Sequence, residues 1–455
     1  MNQTLAVCIG RWNAWTSVSI NRRIFAASLT VGALTLLAHV GTGVKDLVVA
    51  HRFGTTDVLD AFLIAFLLPS FLVNVIAGSV PSAFIPLYLD VQHREGYAAG
   101  EQLYAGVVGW FFILLIAMTV LMALLAPVVL PLLASGFDEP KLNLTRSLFF
   151  TVLPIIIFKG LSTVWTMKLN INEQFGLGSG IPILTPFLSV VALIYGGDTL
   201  GIYALAGGTA CGAILETAII GWYLQTSGTH LLPRWPSSPL ECKQFFRQYM
   251  PMVFGATVMS SSGLVDQSMA AMLDAGSVSA LSYGNKVVSL IIGTGAYALG
   301  AAILPYFSKM VATKDWDSIK RTFRRCATFT LVTTIPLTAF LIYVSKPLVS
   351  LIFERGAFSS TDMGVVAEVQ SYYLVQIPFY ALCIPVVRLI SSLKGNDLLL
   401  RGACLSFVLN VVLNFLFMRW LGVAGIALST SITYVASFLF LYRQLQTKMK
   451  EVACG

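Results

Sequence analysis

Charge is what this sequence has least of. Asp, Glu, Lys and Arg make up 11% of its 455 residues, against about 25% in ordinary soluble domains. Apolar residues reach 56% and the mean hydropathy is +0.80, which excludes a soluble enzyme of ordinary type and leaves no room for a separate soluble catalytic domain. Histidine is nearly missing, and four residues form no ligand set. The seven cysteines, Cys8, Cys211, Cys242, Cys326, Cys383, Cys404 and Cys454, show neither CxxC nor Cys/His spacing, so no metal site or disulfide framework is expected. No GxxxxGK[ST] string occurs, so ATP hydrolysis by this chain is not its energy source. Ser/His/Asp and metalloenzyme motifs are absent too, and neither catalysis nor a cofactor is expected. Residues 1–23 hold only a short apolar stretch at 5–9, too short for a signal-peptide core, so the first spanning helix is expected to act as an uncleaved insertion signal.

What the chain does have is a succession of apolar runs of about 20 residues, each long enough to cross a bilayer as a helix. Twelve are expected, near 24–44, 58–88, 104–134, 147–168, 178–196, 200–225, 248–273, 277–308, 326–353, 364–388, 400–418 and 422–445. The fold class is therefore an all-α polytopic membrane bundle. Several runs are interrupted: the second by Pro69, Gly78 and Pro81, the fourth by Pro154, the fifth by Pro182 and Pro186, the tenth by Pro378 and Pro385. Lipid tolerates a broken helix only where neighbours or water satisfy the freed backbone groups, which suits helices lining a transport cavity; each proline alone reads equally as a packing kink.

The net charge of +8 is first an orientation signal, and no nucleic-acid partner is expected. With twelve spans, 20 of the 29 Lys and Arg fall on the side of the N-terminus, Lys168 among them, 7 fall opposite, and Lys159 and Lys286 lie inside spans. That excess places both termini in the cytoplasm. The densest basic run, KRTFRR at 320–325, opens the ninth span from that side. It would attract anionic lipids, and an ordinary positive-inside anchor suffices to explain it.

Sliding the sequence on itself by about 220 residues uncovers a repeat. AFIPLYLDV at 83–91 meets AILPYFSKM at 302–310, LAPVVLPLLASGF at 125–137 meets SKPLVSLIFERGAF at 345–358, and LGIYALA at 200–206 meets LGVAGIA at 421–427, with offsets of 219, 220 and 221. Six is even, so both copies enter the membrane in the same sense. The organisation expected is a cytoplasmic segment 1–23, a six-helix lobe 24–227, a Pro-rich linker 228–242, a second lobe 243–447 and a cytoplasmic tail 448–455, with a substrate cleft between the lobes.

A charge at bilayer depth costs about 2.5–3.5 kcal/mol on insertion scales, so each needs a reason to be there. His39 precedes Lys45 by six residues, nearly on one helical face, and two such groups suit an anionic head group. Equally, Lys45 and Arg52 would snorkel to the interface while Asp46 pairs with one of them. Lys286 stands inside the eighth span with no adjacent acid, and is expected to face a wet cavity or to find Asp266 or Gln267 of the seventh span. Lys159 and Glu216 read as a structural pair. Glu368 and Arg388 either line a cavity of the second lobe or lie at the interface.

The strings GVKDLVVAHRFGTTDVLDAFLIAFLLPSFL and SAFIPLYLDV resemble the first two helices of the MurJ/MviN family, and LIFERGAFSSTD at 351–362 and LSFVLNVVLNFLF resemble parts of its second half. In order, the resemblance covers residues from about 24 to 445. It implies the multidrug/oligosaccharidyl-lipid/polysaccharide exporter (MOP) superfold, like that of MATE transporters, with two lobes in alternating access. It also implies a flippase for polyprenyl-diphosphate-linked saccharides, notably lipid II, serving peptidoglycan or cell-surface polysaccharide biosynthesis in a bacterial inner membrane. Membrane lipids and the glycosyltransferases or polymerase of the pathway would be its partners. Position by position, the family's first-helix cations fall on His39 and Lys45, its following acid on Asp46, its DAF acid on Asp60 and its eighth-helix cation on Lys286. The resemblance thus implies that His39, Lys45 and Lys286 receive the diphosphate, while Asp46, Asp60 and Arg52 orient the cations or gate the periplasmic side. The family's second-helix Arg pair and following acid fall instead on Val73, Asn74 and Gly78, and its usual two further helices lie beyond the twelve spans. Both departures admit another lipid-linked saccharide, such as an exopolysaccharide unit. A drug/cation antiporter of the same superfold would need buried acids where the candidates here are mainly basic. A non-transporting scaffold of an envelope-assembly complex would have lost the Arg pair together with the activity.

Overall fold

The structure is a computed structural model and describes residues 20–229, 239–393 and 395–454. Most of the expected segment 1–23 and linker 228–242 lie outside the described residues, with Arg11, Arg234 and Lys394. In chain order the helices are α1 (Ile20–Phe53), α2 (Asp57–Leu72), α3 (Val80–Glu95), α4 (Tyr97–Leu133), α5 (Glu139–Val152), α6 (Ile155–Ile171), α7 (Phe175–Gly180), α8 (Leu184–Leu200) and α9 (Ile202–Thr226). They continue as α10 (Pro239–Ala270), α11 (Ser277–Ala312), α12 (Trp316–Tyr343), α13 (Ser345–Phe353), α14 (Ser360–Leu374), α15 (Gln376–Ser392), α16 (Asn396–Leu421) and α17 (Val423–Cys454). Long apolar segments become helices because in lipid a helix satisfies its own backbone groups.

Among the described residues ten helical stretches are long and apolar enough to cross a membrane, so the chain is a multi-pass α-helical membrane protein. The other two expected spans correspond to α10 and α11, 32 and 36 residues long, or about 48 and 54 Å at 1.5 Å per residue. Both exceed what a bilayer needs. On them Ser260, Ser261, Ser262, Asp266 and Gln267 of α10 and Asn285 and Lys286 of α11 supply polar groups.

The breaks fall where glycine and proline place them. After α2 a π turn at Val73–Ala77 and then Gly78 lead to the Ser79 cap of α3, with Pro81 in its first turn. Pro154 caps α6, Pro182 sits in the 3-10 turn Ile181–Ile183, and α14 gives way to α15 at Val375, three residues before Pro378. Pro69 and Pro385 are carried inside helices.

The repeat is written in the backbone as well as in the letters. Gly201 joins α8 to α9 with φ 56°, ψ −129°, and Gly422 joins α16 to α17 with φ 56°, ψ −137°. This combination is essentially closed to residues with a Cβ. Both glycines sit second in the matched strings LGIYALA and LGVAGIA, so the two halves turn the same corner with the same device.

The helices gather into two compact units. Of the described residues the first takes 20–48, 72–124, 150–229 and 239–252. In it α8 and α9 pack as a hairpin, α9 also packs on α6, and Phe84, Phe111, Phe245 and Tyr249 form an aromatic cluster whose Tyr249 hydroxyl donates to the Ile76 carbonyl at 2.9 Å. The second takes 49–71, 125–149, 253–393 and 395–454. There α11 packs on α14 and α15, α17 packs on α14, α15 and α16, and Phe307, Ile319, Leu389 and Leu441 anchor the apolar core. Both units draw on separate stretches of chain.

Candidate functional site

Within the second unit, the turn between α1 and α2 meets two turns from the second half of the sequence. Asp60, in the first turn of α2 and 1% exposed, accepts the Gly276 amide and the Ser279 amide, each at 2.8 Å. Those are the N-cap and third amides of α11, whose own N-cap, Gly276, has no side chain to offer. A carboxylate delivered from elsewhere therefore satisfies donors that a helix start leaves unpaired, where the helix dipole also favours negative charge. Lys141 approaches the same carboxylate at 3.1 Å, pairs with Asp57, and lies 3.9 Å from the centroid of the Phe137 ring. Close by, the Ala357 amide donates to the His51 carbonyl at 2.8 Å. Thr55 donates to Asp362, which belongs to a capping box with Ser359 at the start of α14. Arg52 is half-buried on the same turn.

A second feature of this unit is a cavity of about 180 Å³, lined by Lys286, Asn285, Ser282, Asp266, Gln267 and Tyr373 among others. Ligand pockets for drug-sized molecules run to roughly 300–1,000 Å³, so this recess takes a small polar group and not a whole saccharide. Lys286 thus shares a polar recess with Asp266 and Gln267.

Asp266 is the centre of a buried network that sequence reasoning missed. Its carboxylate accepts from Asn414 at 2.6 Å, from Asn410 at 3.1 Å and from the Thr430 hydroxyl at 3.1 Å, while the Asn414 carbonyl accepts from Ser429. Asn410 and Asn414 are four residues apart and so share a face of α16. That spacing inside LSFVLNVVLNFLF was the available signal. Neutral donors occupy the acceptor capacity of the acid, which holds it in the wall of the cavity.

His39, Lys45 and Asp46 belong to the first unit, on α1. His39 is exposed, Lys45 is half-buried and lies 3.4 Å from buried Asp46. Glu368 is exposed on α14 and Arg388 half-buried on α15, and neither lines the Lys286 cavity. Lys159 and Glu216 pair at 2.6 Å, with Ser162 and Thr185 also donating to Glu216, the structural role expected. Lys168 differs from its expected place among the orientation charges. It is fully buried in the first unit, ion-paired with Glu101, 2.8 Å from the Tyr88 hydroxyl and 5.2 Å from the Tyr104 ring centroid. Its partners are remote in sequence, so its position near a helix end looked like a boundary. Val73 and Asn74 fall in the π turn, a helix irregularity frequent at functional sites. Among the described residues no three His, Cys, Asp or Glu side chains converge as a metal site.

The family model described as "Lipid II flippase MurJ" matches residues 49–452. The chain belongs to the MurJ family. The probable lipid II flippase MurJ of Rhizobium meliloti (strain 1021) is 25% identical over 425 residues, covering 91% of this chain and 79% of that protein. The probable lipid II flippase MurJ of Vibrio cholerae is 25% identical over 447 residues, covering 94% and 84%. A solved structure described as "Lipid II flippase MurJ, inward closed conformation" superposes with a TM-score of 0.80 at 22% identity, covering 94% of this chain and 90% of that one. An inward-facing multidrug resistance MATE family transporter of the MOP superfamily reaches 0.77 at 13% identity, covering 93% and 98%. The fold of this MurJ family member is thus the one shared by MurJ and MATE transporters, as the resemblance of its sequence implies.

Proposed function

We propose that this MurJ family member flips a polyprenyl-diphosphate-linked saccharide of the lipid II type across a bacterial inner membrane by alternating access. The protein is a transporter and not an enzyme. The observation that carries the substrate chemistry is the recess at Lys286, where one cation, several hydrogen-bonding groups and the Asp266 carboxylate, itself hydrogen-bonded by Asn410, Asn414 and Thr430, surround a volume suited to a small polar head-group fragment. In this reading Lys286, with Asn285 and Ser282, receives the diphosphate, and His39 and Lys45 add cationic character along the path. The saccharide follows through a wider opening while the polyprenyl tail stays in lipid. Asp60 and Lys141 latch the periplasmic end, whose turns are closed on one another in the second unit. Asp46 holds Lys45, and Arg52 sits in the latching turn. The pathway's glycosyltransferases and polymerase are the protein partners this role calls for.

The reading is tested with purified protein in liposomes carrying a fluorescent undecaprenyl-diphosphate saccharide in the inner leaflet. Arrival in the outer leaflet above the protein-free rate is the result expected; equal rates with and without protein sink the reading.

A further inference from the structure

The second unit carries a basic cluster for which the proposed transport path has no use. Lys320, Arg321, Arg324 and Arg325, together with Asp317, line a recess of about 430 Å³ near the start of α12. At about 100° per residue these positions span some 140° of the helix circumference within two turns. The opposite face fixes that direction. Ile319 is fully buried, and Phe323 stacks on Tyr442 with centroids 5.8 Å apart and planes at 17°. The basic side chains therefore face outward, and none of the four makes an ion pair with a carboxylate among the described residues; Arg321 reaches the Ser318 hydroxyl at 3.3 Å.

Further along the same side α12 turns apolar and stays exposed. Phe329 is 67%, Val332 66% and Ile335 52% exposed. From Arg325 to Ile335 is about 15 Å at 1.5 Å per residue, the hydrocarbon depth of one leaflet. A cationic recess followed by one leaflet's depth of bare apolar surface has the shape and polarity of an anionic phospholipid.

We infer that this face of α12 binds an anionic phospholipid of the cytoplasmic leaflet, with its phosphate in the recess of Lys320, Arg321, Arg324 and Arg325 and its acyl chains along Phe329, Val332 and Ile335. Orientation alone asks for basic residues at the boundary, not for four in one recess above an apolar strip. The three guanidinium groups bring planar, two-pronged donors matched to phosphate oxygens. The diphosphate of a transported lipid shares that chemistry. The recess has no lining residue in common with the Lys286 cavity, however, and its cations point away from the core.

Native mass spectrometry of the full chain, titrated with phosphatidylglycerol, phosphatidylcholine and undecaprenyl diphosphate, tests the site. Wild-type protein is expected to hold phosphatidylglycerol about tenfold or more tightly than phosphatidylcholine, given the attraction that each basic residue adds at a membrane surface. The K320Q/R321Q/R324Q/R325Q variant loses that preference, and R324Q/R325Q loses part of it should the fourfold variant fail to elute as a single species. K448Q/K450Q, which removes the same charge elsewhere as the twofold variant, keeps it. Equal binding of the two phospholipids by wild type, or undiminished preference in R324Q/R325Q, overturns the inference. Displacement of phosphatidylglycerol by equimolar undecaprenyl diphosphate in wild type overturns it as well and assigns the recess to the substrate's path.

Discussion

The carboxylate of Asp60 and the amide of Ser279 meet at 2.8 Å although 219 residues separate them. Through this contact and its twin at Gly276, a residue from the first half of the sequence completes the start of a helix in the second half. That helix, α11, also carries Lys286, about two turns beyond Ser279. Whatever parts the latch at Asp60 also releases the end of the helix that holds the proposed phosphate ligand.

Asp60→Ala removes a cap whose loss costs about 1–2 kcal/mol in helices generally. Amide hydrogen exchange at Gly276 and Ser279 should quicken by about tenfold, the equivalent of 1.4 kcal/mol, and Asp60→Asn, which keeps an acceptor, should fall between. Unchanged exchange in Asp60→Ala would show that the contact holds nothing.

Lys286→Ala should slow flipping in liposomes by about 30-fold or more, the low end for truncating one member of a buried charged contact, at wild-type abundance in the membrane. Lys286→Arg should retain much of the activity, since it keeps the charge. Wild-type complementation of a flippase-deficient strain by Lys286→Ala counts against a phosphate role.

Lys159→Met leaves the Glu216 carboxylate, 2% exposed, without its counter-charge. Breaking a buried pair on one side costs about 3–5 kcal/mol, whereas replacing both members with apolar residues is often neutral. The thermal midpoint should therefore fall clearly in the single variant and recover in Lys159→Met/Glu216→Leu. Equal midpoints for the two variants would contradict the assignment of this pair to structure.

Gly201→Ala and Gly422→Ala should destabilise by similar amounts, about 1–3 kcal/mol each, because both force a Cβ into a backbone conformation that excludes it. Gly207→Ala, inside α9 where an added Cβ meets nothing within 4 Å, serves as the control and should be neutral or slightly stabilising. A large loss at one joint and none at the other would argue against equivalent roles in the two halves.

Much of the fold was legible because its determinants act locally. Apolar runs announce the spans, and Gly78, Pro154 and Pro182 sit at the breaks they cause. Lys159 and Glu216 could be matched because opposite charges inside apolar runs have few other places to go. Lys141 could not be matched to Asp60, since it reads as one more boundary charge until the fold brings it across 81 residues of sequence. Lys168 was misjudged for the same reason, its enclosure by Glu101, Tyr88 and Tyr104 being a tertiary fact. Asp266 was weighed only as a neighbour for Lys286. The two asparagines and the threonine that embrace it come from α16 and α17, and only their spacing hinted at a shared target.

The single-residue joints at Gly201 and Gly422 bear on how the chain is made. Each leaves no polar loop in which a half-finished pair could wait, and each pair, α8 with α9 and α16 with α17, packs along its length. The earlier helix cannot bury that face until its partner has been synthesised. Both pairs are therefore expected to leave the translocation channel as preformed hairpins, side by side, and not as successive single helices.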